Sequence, residues 1–197
     1  MLFEDYTETK VVYHVAPITD LDKIMKNGIR YDDKKTYVSK YLSFHQYINK
    51  FKPKDSPVWL NREKAIFASL NYSGNHCWHS HSVLMALKIS PEKCWIANEN
   101  LANILYEPFI LKDTIGFSEA KLYLKEKGEE IVKKYWDTSL SFKENLKIRK
   151  DREKRYDAEV MIFHDIKPSE IKLLSIVSDH KNMKIEEWKR FLKGDII

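Results

Sequence analysis

The chain has 197 residues, 43% of them hydrophobic, which suffices for one sizeable core and favours a single domain. The 32% of charged residues and the lack of an apolar run near the roughly 18 residues of a membrane span argue against a disordered chain and against a membrane-spanning one. The net charge of +5 is mild and would help the protein approach nucleic acid or another polyanion.

The first half of the chain reads as alternating strands and helices. β-Branched runs and period-2 patterns predict the strands, while capping residues and 3.6-residue spacing predict the helices. The predicted elements are a strand at 11–15, a helix from Leu21 to Asn27-Gly28, a helix at 37–51, a strand at 58–60, a helix capped by Asn61 through Ala65, Ala68 and Leu70, and strands at 83–89 and 94–97.

The second half begins with a charged segment, residues 98–156, that reads as a helical insertion in a β-rich framework. Within it we expect helices at 100–106, 118–135 and 142–156, and after it strands at 158–163 and 171–177 and a last helix at 185–192. The fold class predicted for 1–197 is therefore α+β, as one domain. The acidic N-terminus lacks the features of a signal peptide, and two cysteines do not make a disulfide framework, so a cytoplasmic protein is expected.

Glu159 stands in the apolar strand that follows Tyr156. An acid at such a position is rarely buried without a partner or a task. One interpretation makes it a solvent-facing acid of an edge strand, paired with Arg152 or Arg155. The other makes it a functional carboxylate.

Three segments, in this order, resemble the ADP-ribosyltransferase family. They are Tyr13-His14-Val15-Ala16-Pro17 with the following Leu21-to-Ile29 stretch, then Val58-Trp59-Leu60-Asn61-Arg62 continuing to Ala68, and finally Asp157-Ala158-Glu159-Val160-Met161-Ile162. The nearest type is DarT, toxins that ADP-ribosylate DNA, and a related fold is that of the tRNA 2′-phosphotransferases. The resemblance implies a split β-sheet core and an enzyme that transfers ADP-ribose from NAD to a macromolecule.

The resemblance also implies roles for particular residues. His14, with Tyr13 beside it, would contact NAD through the adenosine-side ribose, and Glu159 would hold the 2′-hydroxyl of the nicotinamide ribose. An aromatic side chain would cover the nicotinamide, and Tyr72 is preferred to Phe67 for this role. The chemistry agrees, because cleavage of the nicotinamide–ribose bond builds positive charge on the sugar and a fixed carboxylate stabilises that charge.

Two further groups of residues need an interpretation. His76, Cys77, His79 and His81 are all capable of binding zinc, but their spacing matches no standard pattern, so no metal site is predicted. The basic stretch 143–155 is either a solvated helix face or the surface that meets DNA or RNA phosphates. The residues expected to do so are Lys147, Arg149, Arg152 and Arg155.

Three functions follow as hypotheses. The first is an NAD-dependent ADP-ribosyltransferase, a toxin or defence effector that acts on nucleic acid and that an antitoxin protein would restrain. The second is an RNA 2′-phosphotransferase, for which Arg30 and Arg62 are the arginines near matching segments. The third is a catalytically inactive domain of the same fold that binds nucleic acid or a protein.

Overall fold

The computed structural model describes residues 4–31, 41–70, 81–178 and 181–194. Over these residues the fold is mixed α/β, as predicted at the level of an α+β class, and is organised around one eight-stranded antiparallel sheet. The spatial order of the strands is β5-β4-β6-β2-β1-β3-β7-β8. The strands are β1 Val11–Pro17, β2 Ile66–Ser69, β3 Ser82–Lys88, β4 Cys94–Asn98, β5 Leu140–Ser141, β6 Ala158–Ile162, β7 Ile171–Val177 and β8 Asn182–Lys184.

The helices lie before, between and after these strands. Of the helices that the described ranges contain, none is long and apolar enough to cross a membrane. The α-helices are α1 Tyr6–Thr9, α2 Leu21–Asn27, α3 Leu42–Asn49, α4 Glu99–Leu111, α5 Ser118–Tyr123, α6 Glu129–Asp137, α7 Phe142–Ile148 and α8 Ile185–Leu192. A π-helical turn, Leu124–Gly128, joins α5 to α6.

Most elements lie where the sequence predicts them, and three predictions are wrong. Residues 58–60 form a turn rather than a strand. The Asn61 side chain does accept the backbone N–H of Glu63 as a cap, but the helix is a single 3-10 turn, Arg62–Lys64, and the next residues form β2. The chain extends there because β2 pairs with β6 along its whole length, and these tertiary pairs override the local helical pattern.

The basic helix predicted at 142–156 also ends early. It stops at Ile148 because Arg149 takes the left-handed conformation with φ of 56°. A 3-10 turn, Lys150–Arg152, follows before the chain enters β6.

Two hydrophobic cores cover opposite faces of the sheet near β6. Alternate residues of a strand point to opposite faces. Val160 and Ile162 of β6 belong to core A, together with Val12 and Ala16 of β1. Met161 of β6 belongs to core B, which is closed by α3, α4 and α6. The members of core B that these helices supply are Phe44, Ile48, Ala102, Leu105, Phe109, Val132, Tyr135 and Trp136.

The extent of strand pairing differs on the two sides of β1. β1 pairs with β3 at seven successive positions, from Val11–Lys88 to Pro17–Ser82. Between described residues of β1 and β2, the registered pair is Tyr13–Ser69. The backbone N–H of Leu70 donates to Ala158 of β6, so Phe67 and Ser69, at the alternate positions, direct their backbone groups at β1. The two halves of the sheet therefore meet at Tyr13–Ser69 and part toward Phe67.

Candidate functional site

Glu159 lies in the middle of the sheet, on β6. It pairs with Ser69 of β2 on one side and with Ala97 of β4 on the other. Only 6% of the residue is exposed. The interpretation of Glu159 as a solvent-facing edge acid paired with Arg152 or Arg155 is therefore wrong, because β6 has a neighbour on both sides and the side chain points into core B.

The partner of Glu159 is Arg62, the first residue of the 3-10 turn before β2. Arg62 Nη2 donates to Glu159 Oε2 at 3.0 Å, and Nη1 donates to Oε1, which makes the pair bidentate. Arg62 is 3% exposed, so both charges lie out of water. Buried charges persist only when they are paired and hydrogen-bonded, and the two-pronged geometry meets that requirement.

Tyr135, on α6, completes the coordination of the carboxylate. Its hydroxyl donates to Glu159 Oε1 at 2.6 Å and accepts from Arg62 Nη1. Burial raises the pKa of Tyr135 well above its ordinary value, so the hydroxyl stays protonated and serves as a donor. The segment 98–156 thus contributes directly to the environment of Glu159.

His45 and Phe67 enclose the other side of the guanidinium. Arg62 Nε donates to His45 Nδ1 at 2.9 Å, and the guanidinium carbon lies 4.7 Å from the centre of the Phe67 ring. The His45 ring stacks on Phe67 at 4.8 Å. Burial, together with the charge of Arg62, lowers the pKa of His45 to about 2, so the ring is neutral and its Nδ1 accepts.

Glu99 adds a second carboxyl group to the same face. It is the first residue of α4, directly after β4, and its backbone N–H donates to Asp157 O at 2.7 Å. Burial, then the charges of Glu159 and Asp157, raise the pKa of Glu99 to about 7, although Arg62 opposes them. A half-buried acid with a pKa near neutrality is a candidate for proton transfer.

His14 lies on β1 and does not contact Glu159. Val12 and Ala16, two residues away on either side, belong to core A, so alternation places His14 on the face opposite to Glu159. Its Nδ1 lies 2.6 Å from Phe67 O, in the region where β1 and β2 part. Because a carbonyl oxygen only accepts, Nδ1 is the protonated nitrogen. His14 and Glu159 are two strand spacings apart, about 10 Å, and both touch the Phe67–Arg62 pair, one through the Phe67 carbonyl and the other through Arg62.

The Tyr13 side chain has a structural contact in addition to its pairing with Ser69. Its ring packs with Leu84 and Ala86, and its hydroxyl accepts the backbone N–H of Glu4 at 3.0 Å. Its predicted contact with NAD remains a prediction.

Four of the residues considered from the sequence lie outside the described residues. They are Tyr72, His76, Cys77 and His79, whereas His81 is described and exposed. Over the ranges that the structure describes, no group of three or more His, Cys, Asp or Glu side chains could hold a metal ion.

Other aromatic residues do lie beside His45. Tyr41 and Tyr106 stack at 5.7 Å, and the Tyr41 ring lies 6.4 Å from that of His45. They are half-buried and extend the aromatic wall that begins at Phe67.

The basic stretch is largely occupied by internal ion pairs. Lys147 pairs with Glu144 at 3.1 Å, and both Arg149 and Arg152 pair with Asp5, at 2.5 and 2.7 Å. Within the described part of the chain, no carboxylate lies within ion-pair distance of Arg155. Its carbonyl accepts hydrogen bonds from the side chains of Asn98 and Asn100. Binding of DNA or RNA by these four residues remains a prediction. Lys147, Arg149 and Arg152 are already in ion pairs, so Arg155 is the residue whose charge is most available for a phosphate.

Sequence reasoning missed most of the partners of Glu159. Arg62 lies within the second segment of the resemblance, but the sequence connects it only with the RNA 2′-phosphotransferase hypothesis. Tyr135, His45 and Glu99 carry no motif, and they are 24, 114 and 60 positions from Glu159. A buried carboxylate needs a charged partner, so the sequence could predict that Glu159 has one. It could not predict which residue supplies the positive charge.

Comparisons with models of protein families, with curated proteins and with solved structures found no match for this chain.

The arrangement can do two things chemically. Glu159 provides a fixed negative charge in a water-poor environment, which would stabilise a developing cation. A carboxylate offers about four acceptor positions. Glu159 uses two on Oε1, for Arg62 and Tyr135, and one on Oε2, for Arg62, so one position on Oε2 remains for a ligand hydroxyl.

Proposed function

We propose that this protein is an NAD-dependent ADP-ribosyltransferase whose catalytic carboxylate is Glu159. The observation that carries the proposal is the position of that carboxylate: buried, held by Arg62 and Tyr135, and one strand away from the line where β2 and β1 part. An acid fixed at this position suits a reaction that builds a ribosyl cation. The resemblance of the three sequence segments also assigns Glu159 as the catalytic carboxylate.

NAD would lie where the two halves of the sheet separate. This separation supports the split sheet that the resemblance implies. His14, from β1, would contact one ribose, and the remaining acceptor position of Glu159 Oε2 would take the 2′-hydroxyl of the nicotinamide ribose. The aromatic wall of Phe67, Tyr41 and Tyr106 offers flat surfaces for a base or for nicotinamide, beside the predicted contribution of Tyr72.

The described part of the site brings carboxyl groups close together. Glu99 lies near both Glu159 and Asp157, and the Arg62 guanidinium pairs with Glu159. Carboxylate charge beside the ribose would stabilise the oxocarbenium-like sugar.

The test is release of nicotinamide from NAD. NAD labelled in the adenylate phosphate would be incubated with the protein alone, with DNA and RNA oligonucleotides, and with a protein extract, and both nicotinamide and labelled macromolecules would be measured. We expect release by the wild type and a fall of about 10²–10³-fold in Glu159→Gln, which keeps the shape but removes the charge. Glu107→Gln, an exposed change on α4, is the matched control.

The proposal is wrong if the wild type releases no nicotinamide with any of these acceptors. Equal rates for the wild type and a folded Glu159→Gln would also contradict it, because the charge of Glu159 would then have no part in the reaction. Circular dichroism and a thermal melt would show that each variant is folded.

One observation favours the inactive binding domain as a second candidate. Arg62 and Tyr135 together occupy three of the four acceptor positions of Glu159, as a purely structural ion pair would. In that case the wild type would bind DNA or RNA in a salt-dependent way without turnover of NAD. Binding would weaken in Arg155→Ala and be unchanged in Glu159→Gln.

A further inference from the structure

Glu99 lies near Glu159, at a position that backbone hydrogen bonding fixes. Its hydrogen bond to Asp157 continues the ladder in which Ala97 pairs with Glu159 and Asn98 with Ala158. Continued by one residue, this register puts Glu99 opposite Asp157 and diagonal to Glu159, at a separation of about 7–8 Å. The acid is therefore held at a short, fixed distance from the catalytic carboxylate.

The residues on either side of Glu99 fix its backbone. The Asn98 side chain accepts the N–H of Asn100 at 3.1 Å and so caps α4. The side-chain amides of Asn98 and Asn100 both donate to Arg155 O, at 3.2 and 3.1 Å. These contacts tie the start of α4 to the segment that leads into β6, so the backbone of Glu99 is fixed relative to that segment.

The two acids differ in what their oxygens do. Glu159 accepts three hydrogen bonds from Arg62 and Tyr135. Among the described residues, no side chain or backbone group donates to the Glu99 carboxyl group, which is half-buried and reached by water. The oxygens of Glu159 are thus largely engaged in hydrogen bonds, whereas Glu99 can gain or lose a proton without breaking a hydrogen bond.

The surroundings of Glu99 suit a proton acceptor that works near neutral pH. Among the described residues, the charged groups that act on it are Glu159 on β6, Asp157 directly before β6, and Arg62 on the 3-10 turn. Burial and the two acids raise its pKa to about 7, and the arginine opposes them. A catalytic base is most effective when its pKa lies close to the working pH.

We propose that Glu99 is the general base of this site and takes the proton from the acceptor nucleophile while Glu159 keeps its charge beside the ribose. The inference rests on the proposed function. In the step, the bond from the ribose anomeric carbon to the nicotinamide nitrogen breaks, and its electron pair leaves with neutral nicotinamide. A lone pair of the acceptor, water included, forms the new bond to that carbon. The acceptor proton moves to the Glu99 carboxylate and then to solvent.

The test is the pH dependence of nicotinamide release, with water as the acceptor and NAD as the substrate, on the full-length protein. For the wild type we expect the rate to fall on the acid side of about pH 7, as Glu99 becomes protonated. In Glu99→Gln the rate at pH 8 should fall by about 10²-fold and this acid limb should disappear, with NAD affinity unchanged within about twofold. Glu107→Gln on the same helix should keep the rate and the limb.

The outcomes separate this inference from the proposed function. No release by the wild type overturns both. Release by the wild type with the same acid limb in Glu99→Gln overturns the role of Glu99 alone. A parallel fall of NAD affinity and rate in a folded Glu99→Gln, with the limb retained, would make Glu99 a binding residue and would likewise overturn it.

Discussion

Two clusters of arginine and carboxylate side chains flank the start of β6, and they differ in burial. The buried network consists of Arg62, Glu159, Tyr135 and His45, all at or below 6% exposure. The peripheral network joins Asp5 to Arg149 and Arg152, and Arg149 in turn to Asp151. The side chains of Asp5, Arg149 and Arg152 are 22%, 20% and 61% exposed, whereas that of Asp151 is 4% exposed.

The difference in burial changes what each network can be for. An exposed pair contributes about 0–1 kcal/mol, and the peripheral network does what such pairs do, since it ties the N-terminal segment to the turn before β6. A buried pair gains little over well-packed hydrophobic residues of similar volume. Stability alone therefore does not explain four polar side chains beside core B, and they fit the task that we propose for Glu159.

The largest expected effect is on the buried pair. Glu159→Leu leaves Arg62 in core B without a counter-charge, and we expect a loss of about 3–5 kcal/mol in the free energy of unfolding. The double variant Arg62→Met/Glu159→Leu should recover most of that loss, because no charge is then stranded. Urea denaturation of the two variants measures this, and a double variant no more stable than the single one would contradict it.

The next effect is a pH dependence that comes from His45. Its pKa is about 2 in the folded protein and about 6.5 when unfolded, so between these values the unfolded chain binds more protons. Stability contributed by the neutral ring is present above pH 6.5 and is lost as the pH falls, by about 2 kcal/mol between pH 7 and pH 5. Urea titrations of the wild type and of His45→Gln at both pH values check this. A drop of the same size in the variant would contradict it.

Tyr135→Phe tests the third member of the buried network. The change removes one donor to Glu159 Oε1 but leaves the bidentate contact with Arg62. We expect a loss of about 1.5 kcal/mol, the lower end for a hydrogen bond to a charged group. Thermal or urea unfolding measures it, and a loss above about 4 kcal/mol would indicate that the ring packing had failed as well.

The smallest effect is expected in the peripheral network. Burial alone would raise the pKa of Asp5, but hydrogen bonds from Arg149, Thr7 and Arg152 outweigh it and hold the pKa well below its ordinary value. The stability that Asp5 contributes is present above pH ~3.9, its unfolded value, and is lost as the pH falls further. Asp5→Asn should therefore cost about 1 kcal/mol or less at pH 7 and less than that at pH 2. An equal loss at both pH values would show that packing, not charge, is responsible.

Local patterns predicted much of the framework correctly. β7 and α8 lie where the spacing of apolar residues placed them, and α2 ends at Asn27-Gly28 as its stop signal indicated. Gly28 has a φ of +82° there, and a Cβ would collide with the Ile166 carbonyl, so this stop has a tertiary reason as well. Where the pattern failed, after Asn61, the cap was real but the following residues gained more by pairing with β6.

The sequence by itself determined that Glu159 would stand on a strand among apolar residues, because period and composition are local properties. Tertiary structure decided which residue would neutralise that acid. Arg62, Tyr135 and His45 reach it from separate elements, and hydrogen-bond geometry over distances of about 3 Å depends on how those elements pack. The same holds for Glu99, whose proximity to Glu159 follows from the pairing of β4 with β6. The acid in the apolar strand thus indicated that Glu159 has partners, and the packing of the sheet and helices determined which residues those partners are.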